Sequence, residues 1–145
     1  MNAPHVPRPG LDAFHRERSK CIDAFAALEE AAIRILAQED AKIGEEPFGQ
    51  RLKVLGKVTA SPRRSKDRVA KLQVLLIRCA ELNELRNDLV HSRLQVAVIG
   101  DDNRACFTNL RECQSGSQTA RLFTLEGLRA LSADMLKLAE ELAQA

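Results

Sequence analysis

The sequence predicts a mainly α protein: four to five helices in an up-and-down bundle, with a small β-hairpin ahead of the last helix. Three observations carry this. The aliphatic residues are mostly Leu and Ala, and 45% of the 145 residues are apolar. Apolar residues recur at spacings of three, four and seven through most of the chain, the period of a helix with one buried face. Only one region, after residue 93, breaks that period in favour of alternation and β-branched residues. The length suits one domain with a real core. With 29% charged residues of both signs, the composition is not that of a disordered chain.

Residues 1–10 contain Pro4, Pro7, Pro9 and Gly10 and read as a flexible leader to a single domain over 11–145. The first helix is expected from about Leu11 to Lys42, on the stripe Phe14, Cys21, Phe25, Leu28, Ala32, Ile35 and Leu36, with Gly44 and Pro47 ending it. A second, shorter helix is expected over Pro47–Thr59, with Phe48, Leu52, Leu55 and Val58 as its stripe and proline suited to its first turn. Gly49 and Gly56 weaken it. Ser61–Ser65 reads as a turn, and Ser65 as the N-cap of a third helix over Lys66–His91. Leu94–Ile99 reads as a strand, Gly100–Asn103 as a turn, Ala105–Leu110 as the return strand and Thr119–Phe123 as a possible third, making a hairpin excursion over about 94–123. Gln114–Gln118 is a polar loop. Thr124 is the expected N-cap of the last helix, whose stripe is Leu125, Leu128, Leu131, Met135, Leu138 and Leu142.

Composition also excludes functions. With 5 Phe and neither Trp nor Tyr, the chain can supply few rings for a base-stacking sheet. No apolar run approaches the ~20 residues of a membrane span, and no apolar signal segment opens the chain, so no membrane partner and a cytoplasmic location are expected. Cys21, Cys79, Cys106 and Cys113 form no CxxC pair, and with only three His a metal centre is poorly supported. Free thiols follow, with Cys79 in the core; Cys106 and Cys113 facing each other across a hairpin is the weaker alternative. No P-loop, Rossmann turn or GxSxG is present, and no cofactor is expected.

The formal net charge of +2 hides an asymmetry. Arg51–Lys71 holds eight basic residues against the one acid Asp67, a local net charge of +7. The remainder, with 14 basic and 19 acidic groups, carries −5. Such a segment is either a phosphate-binding surface or a solvated helix face. Arg63, Arg64 and Lys66 are its candidate substrate-binding residues.

The most informative residues close the third helix. At ~100° per residue, Asn83, Asn87 and His91 fall on one row of a helix whose other faces are strongly apolar. Arg86 lies roughly 140° from His91 but is long enough to curl back. A buried polar row needs partners, and a second copy of the same helix across a two-fold axis is one way to supply them. Each residue also has a plainer reading: His91 answering the helix dipole, Arg86 paired with Asp88 or Glu84, Asn87 solvated.

Arg86-Asn87-Asp88-Leu89-Val90-His91 resembles the hallmark of the HEPN superfamily (higher eukaryotes and prokaryotes nucleotide-binding domains): Arg, a polar residue often Asn, a few more residues, then His, near the end of a long helix. The order of long, short, long and final amphipathic helices is similar too, over about residues 11–143. The resemblance implies a HEPN-like bundle and a metal-independent endoribonuclease, a toxin or defence effector whose two protomers share one composite site. His91 would act as acid or base, Arg86 would hold the phosphate bidentately, and Asn87 would orient His91 or the substrate. Asn83 and Asp88 are supporting residues, and Arg93 a further substrate-binding one. RNA cut this way ends in a 2′,3′-cyclic phosphate and a 5′-hydroxyl. An antitoxin or nucleotidyltransferase-type partner is also implied. Many HEPN toxins carry a Tyr two residues after the His, which such a partner modifies; here that position is Arg93 and the chain has no Tyr, so that mode of control is not available. The alternatives are a non-catalytic HEPN-like adaptor or regulatory partner, and a nucleic-acid-binding module built on Arg51–Lys71.

Overall fold

The computed structural model describes residues 7–109 and 120–145. It contains α1 (Leu11–Gln38), α2 (Phe48–Leu55), α3 (Lys66–His91), β1 (Ser92–Ile99), β2 (Asp102–Asn109), β3 (Ala120–Phe123) and α4 (Leu125–Ala143). The protein is mainly helical, as the apolar periodicity requires. The α1 stripe packs along α4 over the broadest contact and also touches α2 and α3. Phe14, Phe25, Leu28, Leu55, Leu72, Leu89, Leu128, Met135, Leu138 and Leu142 fill the centre of the core. Phe25 of α1 meets Phe48 of α2 edge to face, with centroids 5.0 Å apart.

Two helix ends fall earlier than the sequence suggests. The first helix stops at Gln38, well before Lys42. Asp40 takes a left-handed φ of 53°, while Ala41 N–H bonds Leu36 O at 2.9 Å and Asp40 N–H bonds Ala37 O at 3.2 Å. This is a Schellman end built on Asp rather than Gly, so Gly44 is not needed to stop the helix. The second helix ends at Leu55, capped by Gly56, and Lys57–Thr59 lie outside it. The third helix matches its expected bounds: the Ser65 side chain accepts from Arg68 N–H at 3.3 Å. Thr124 caps α4 as expected, accepting from Gly127 N–H at 2.9 Å.

The region after α3 is a three-stranded antiparallel sheet in the order β1-β2-β3, larger than the expected hairpin. Its first strand begins at Ser92, straight out of α3, and its second at Asp102. Ile99 pairs with Asp102, which leaves Gly100-Asp101 as a two-residue turn with Gly100 at φ 61°. Leu94, Ala105 and Phe107 face the core, while Val98 and Ile99 near the turn are exposed. Phe107 and Phe123 stack edge to face at 5.8 Å. Pro7–Gly10 is not loose throughout: Asn103 Nδ2 donates to Pro9 O at 3.1 Å, and Arg8 lies 3.7 Å from Asp101. Leu110, Cys113, the Gln114–Gln118 loop and Thr119, like His5 and Pro4 of the leader, fall outside the described residues.

Candidate functional site

The site is built on the last three turns of α3, where a helix with a buried apolar face also carries a polar row. Asn83, Asn87 and His91 are all half-buried. The Arg86 guanidinium reaches round the helix, as its length allows, and donates from Nη1 to Asn87 Oδ1 at 3.2 Å. Its flat face lies over the Phe25 ring, 5.4 Å from the centroid. Arg86 therefore pairs with neither Asp88 nor Glu84. The stack and the bond hold it on the same side of α3 as Asn87. The side chain of His91, the last residue of α3, makes no hydrogen bond to any described residue, and neither does that of Asn83.

Asp88 points elsewhere. It is buried, and its carboxylate accepts from Arg121 Nε of β3 in a short charge-assisted bond. This pair ties the sheet to α3 three residues before His91. Arg93 is exposed on β1, opposite Thr108. The end of α3 is thus ringed by Arg86, Arg93, Arg121 and Arg18.

Arg18 has no counterpart in the sequence reading. From α1 it donates Nε to Leu89 O at 2.7 Å and Nη2 to Ser92 O at 3.0 Å and Val90 O at 3.4 Å. It also lies over the Phe107 ring at 5.8 Å. Burial pulls this guanidinium below its ordinary value. The one local signal was its spacing. Phe14, Arg18, Cys21 and Phe25 follow the helix period, so Arg18 is a cation set within an apolar stripe. Its carbonyl partners lie more than seventy residues away, beyond any local pattern.

The basic stretch is less available than its charge suggests. Arg64 is only 2% exposed, ion-paired with Glu39 at 2.9 Å, and its Nη1 donates to the Ala145 carbonyl oxygen. Arg68 donates to that same oxygen from Nε at 3.0 Å and Nη2 at 2.7 Å. Arg63 donates to Gln38 O at 2.9 Å and pairs with Asp40. Arg51 donates to Gly44 O at 3.0 Å. Arg64 is thus a buried tie between the end of α1 and Ala145, not an open phosphate ligand, while Arg63 is exposed but already paired with Asp40. Lys53, Lys57, Lys66 and Lys71 remain exposed.

A groove of about 400 Å³ runs between α2 and α3 over Leu52, Gly56, Leu76, Ala80 and Asn83. Leu76, Ala80, Asn83, Asn87 and His91 lie within an arc of about 80° on α3. The groove floor and the polar row are consecutive parts of one helix face. Ile77 lines the groove at 64% exposure.

Among the described residues no group of three or more His, Cys, Asp or Glu side chains is placed to hold a metal ion. No described helix is long and apolar enough to cross a membrane. Comparison of the chain with family models, curated proteins and solved structures returned no match.

Proposed function

We propose that the protein is a metal-independent endoribonuclease of HEPN type that works as a homodimer. The observation that carries this reading is the half-buried row Asn83, Asn87 and His91, with Arg86 bonded to Asn87 and, at the helix end, an imidazole with no hydrogen-bond partner among the described residues. Cleaving RNA without a metal requires a base on the ribose 2′-hydroxyl, an acid on the leaving 5′-oxygen, and cationic donors for the charge on phosphorus. Arg86 and His91 are residues of those types. One chain offers one His at this end of α3, and two chains related by a two-fold axis offer two. Arg93 is exposed beside the row and extends the positive surface along a bound strand.

The purified protein is expected to cut RNA in excess EDTA and to leave 2′,3′-cyclic phosphate and 5′-hydroxyl ends. His91→Ala should lower the rate by 10²-fold or more, on the order of a lost acid–base group, with an unchanged circular dichroism spectrum and melting temperature. Cleavage at the wild-type rate by folded His91→Ala sinks the proposal.

A second reading, a non-catalytic helical adaptor or regulatory partner, is favoured by the exposed Ile77 in an apolar groove. It expects no cleavage by the wild-type protein under any condition that leaves it folded.

A further inference from the structure

We infer that Arg18 is the positioning residue for His91. The inference rests on the ribonuclease reading for its consequence, but on the Arg18 contacts alone for its geometry. The guanidinium donates to Leu89 O and Val90 O before His91 and to Ser92 O after it. One planar group thus binds carbonyl oxygens both before and after His91. The last carbonyls of a helix have no partner within it, and here they face the point where α3 stops and β1 starts without a linker. A helix end left to fray would move His91 with it. Arg18 is itself restrained, because α1 is anchored in the core by Phe14 and Cys21 on either side and the guanidinium lies against Phe107. The imidazole is therefore referenced to α1 and the sheet as well as to its own helix.

Lysine cannot substitute fully. Its ammonium is a compact charge that can satisfy one or two of these oxygens but cannot reproduce the planar span of a guanidinium. The geometry orders the variants: Arg18, then Arg18→Lys, then Arg18→Met, in decreasing control of His91.

The test uses the intact protein and two readouts. The first is single-turnover cleavage of an RNA oligonucleotide with KM measured separately. The second is the imidazole signal of His91 in a heteronuclear NMR spectrum, assigned by its loss in His91→Ala. Arg18→Met should lower the cleavage rate about 10- to 100-fold with KM within about twofold, as a misplaced catalytic group does, and should shift or split the His91 signal. Arg18→Lys should fall between and keeps the test open if Arg18→Met does not fold. A lowered melting temperature with an unshifted His91 signal and an undiminished rate overturns the inference. If the wild-type protein cuts no RNA, the ribonuclease reading fails, and the His91 signal alone decides whether Arg18 positions it.

Discussion

Single side chains in this protein are decided by what surrounds them more than by what they are. Cys79 and Cys21 are alike in sequence to any free thiol. Burial pushes Cys79 up to about 12 and Cys21 up to about 11, the latter helped by the nearby Glu17 charge. Near pH 8 that leaves about one thiolate in ten thousand and one in a thousand. Neither should react with a thiol reagent in the native protein, and both should react at once in guanidinium, which a timed colorimetric assay with and without denaturant checks. Arg64 makes the same point for charge. Its two neighbours in sequence, Arg63 and Ser65, are exposed, while Arg64 is sealed against Glu39, Gln38 and Ala145. Arg64→Ala should cost about 3–5 kcal/mol, the cost of breaking a buried pair, and Lys66→Ala less than about 0.5 kcal/mol. Thermal melts of the two variants measure the contrast.

Between elements, α1 and α4 are joined by more than apolar packing. Glu17 of α1 is buried and accepts from Arg129 of α4 at 3.2 Å and from Lys20 at 3.3 Å. Burial alone would raise its carboxyl, but the hydrogen bonds from Arg129 and Lys20 outweigh it, and the group lies below the ordinary 4.5. A carboxyl depressed on folding adds stability above its unfolded value and loses it as pH falls through the folded one. Glu17→Gln should therefore melt below wild type at neutral pH. The gap should narrow as pH falls below about 4.5, in a series of melts. The elements themselves were largely legible. Ser65 and Thr124 announce the starts of α3 and α4 because a hydroxyl before an apolar run satisfies the free amides of the first turn. The end of α1 was not legible, because Asp40 in a left-handed turn carries no cue as plain as glycine's. β3 was only partly so, since four residues make a weak period-2 signal, and its hold on the fold comes from β2 and from Arg121 on Asp88.

In the whole molecule, the face of α3 that carries the polar row continues into the groove against α2, and the composite-site proposal needs a second copy near that face. Subunit mixing tests whether the site is shared. His91→Ala protein should be inactive, and an equal mixture with wild type, allowed to exchange protomers, should keep only about a quarter of the activity of the same total amount of wild type. Random pairing leaves about a quarter of the dimers with both histidines in the shared site. Activity of half or more, with exchange shown by mass spectrometry, rejects a site that takes His91 from both protomers.

The helical fold, the bounds of α3 and the row Asn83, Asn87 and His91 all follow from local rules: an apolar period of 3.6, a capping hydroxyl, and a rise and turn per residue that place side chains on one face. Nothing beyond neighbouring residues is needed to apply them. The bond from Arg18 to the carbonyls around His91, the Asp88–Arg121 tie, the pairing of Arg63 with Asp40 and the burial of Arg64 join residues that lie from 23 to 81 positions apart. Such contacts exist only once helices and sheet have packed, because their partners are backbone oxygens and carboxylates that no local spacing encodes. The local rules place the histidine on its helix; the packing decides how firmly it is held there and which arginines are left to meet a phosphate.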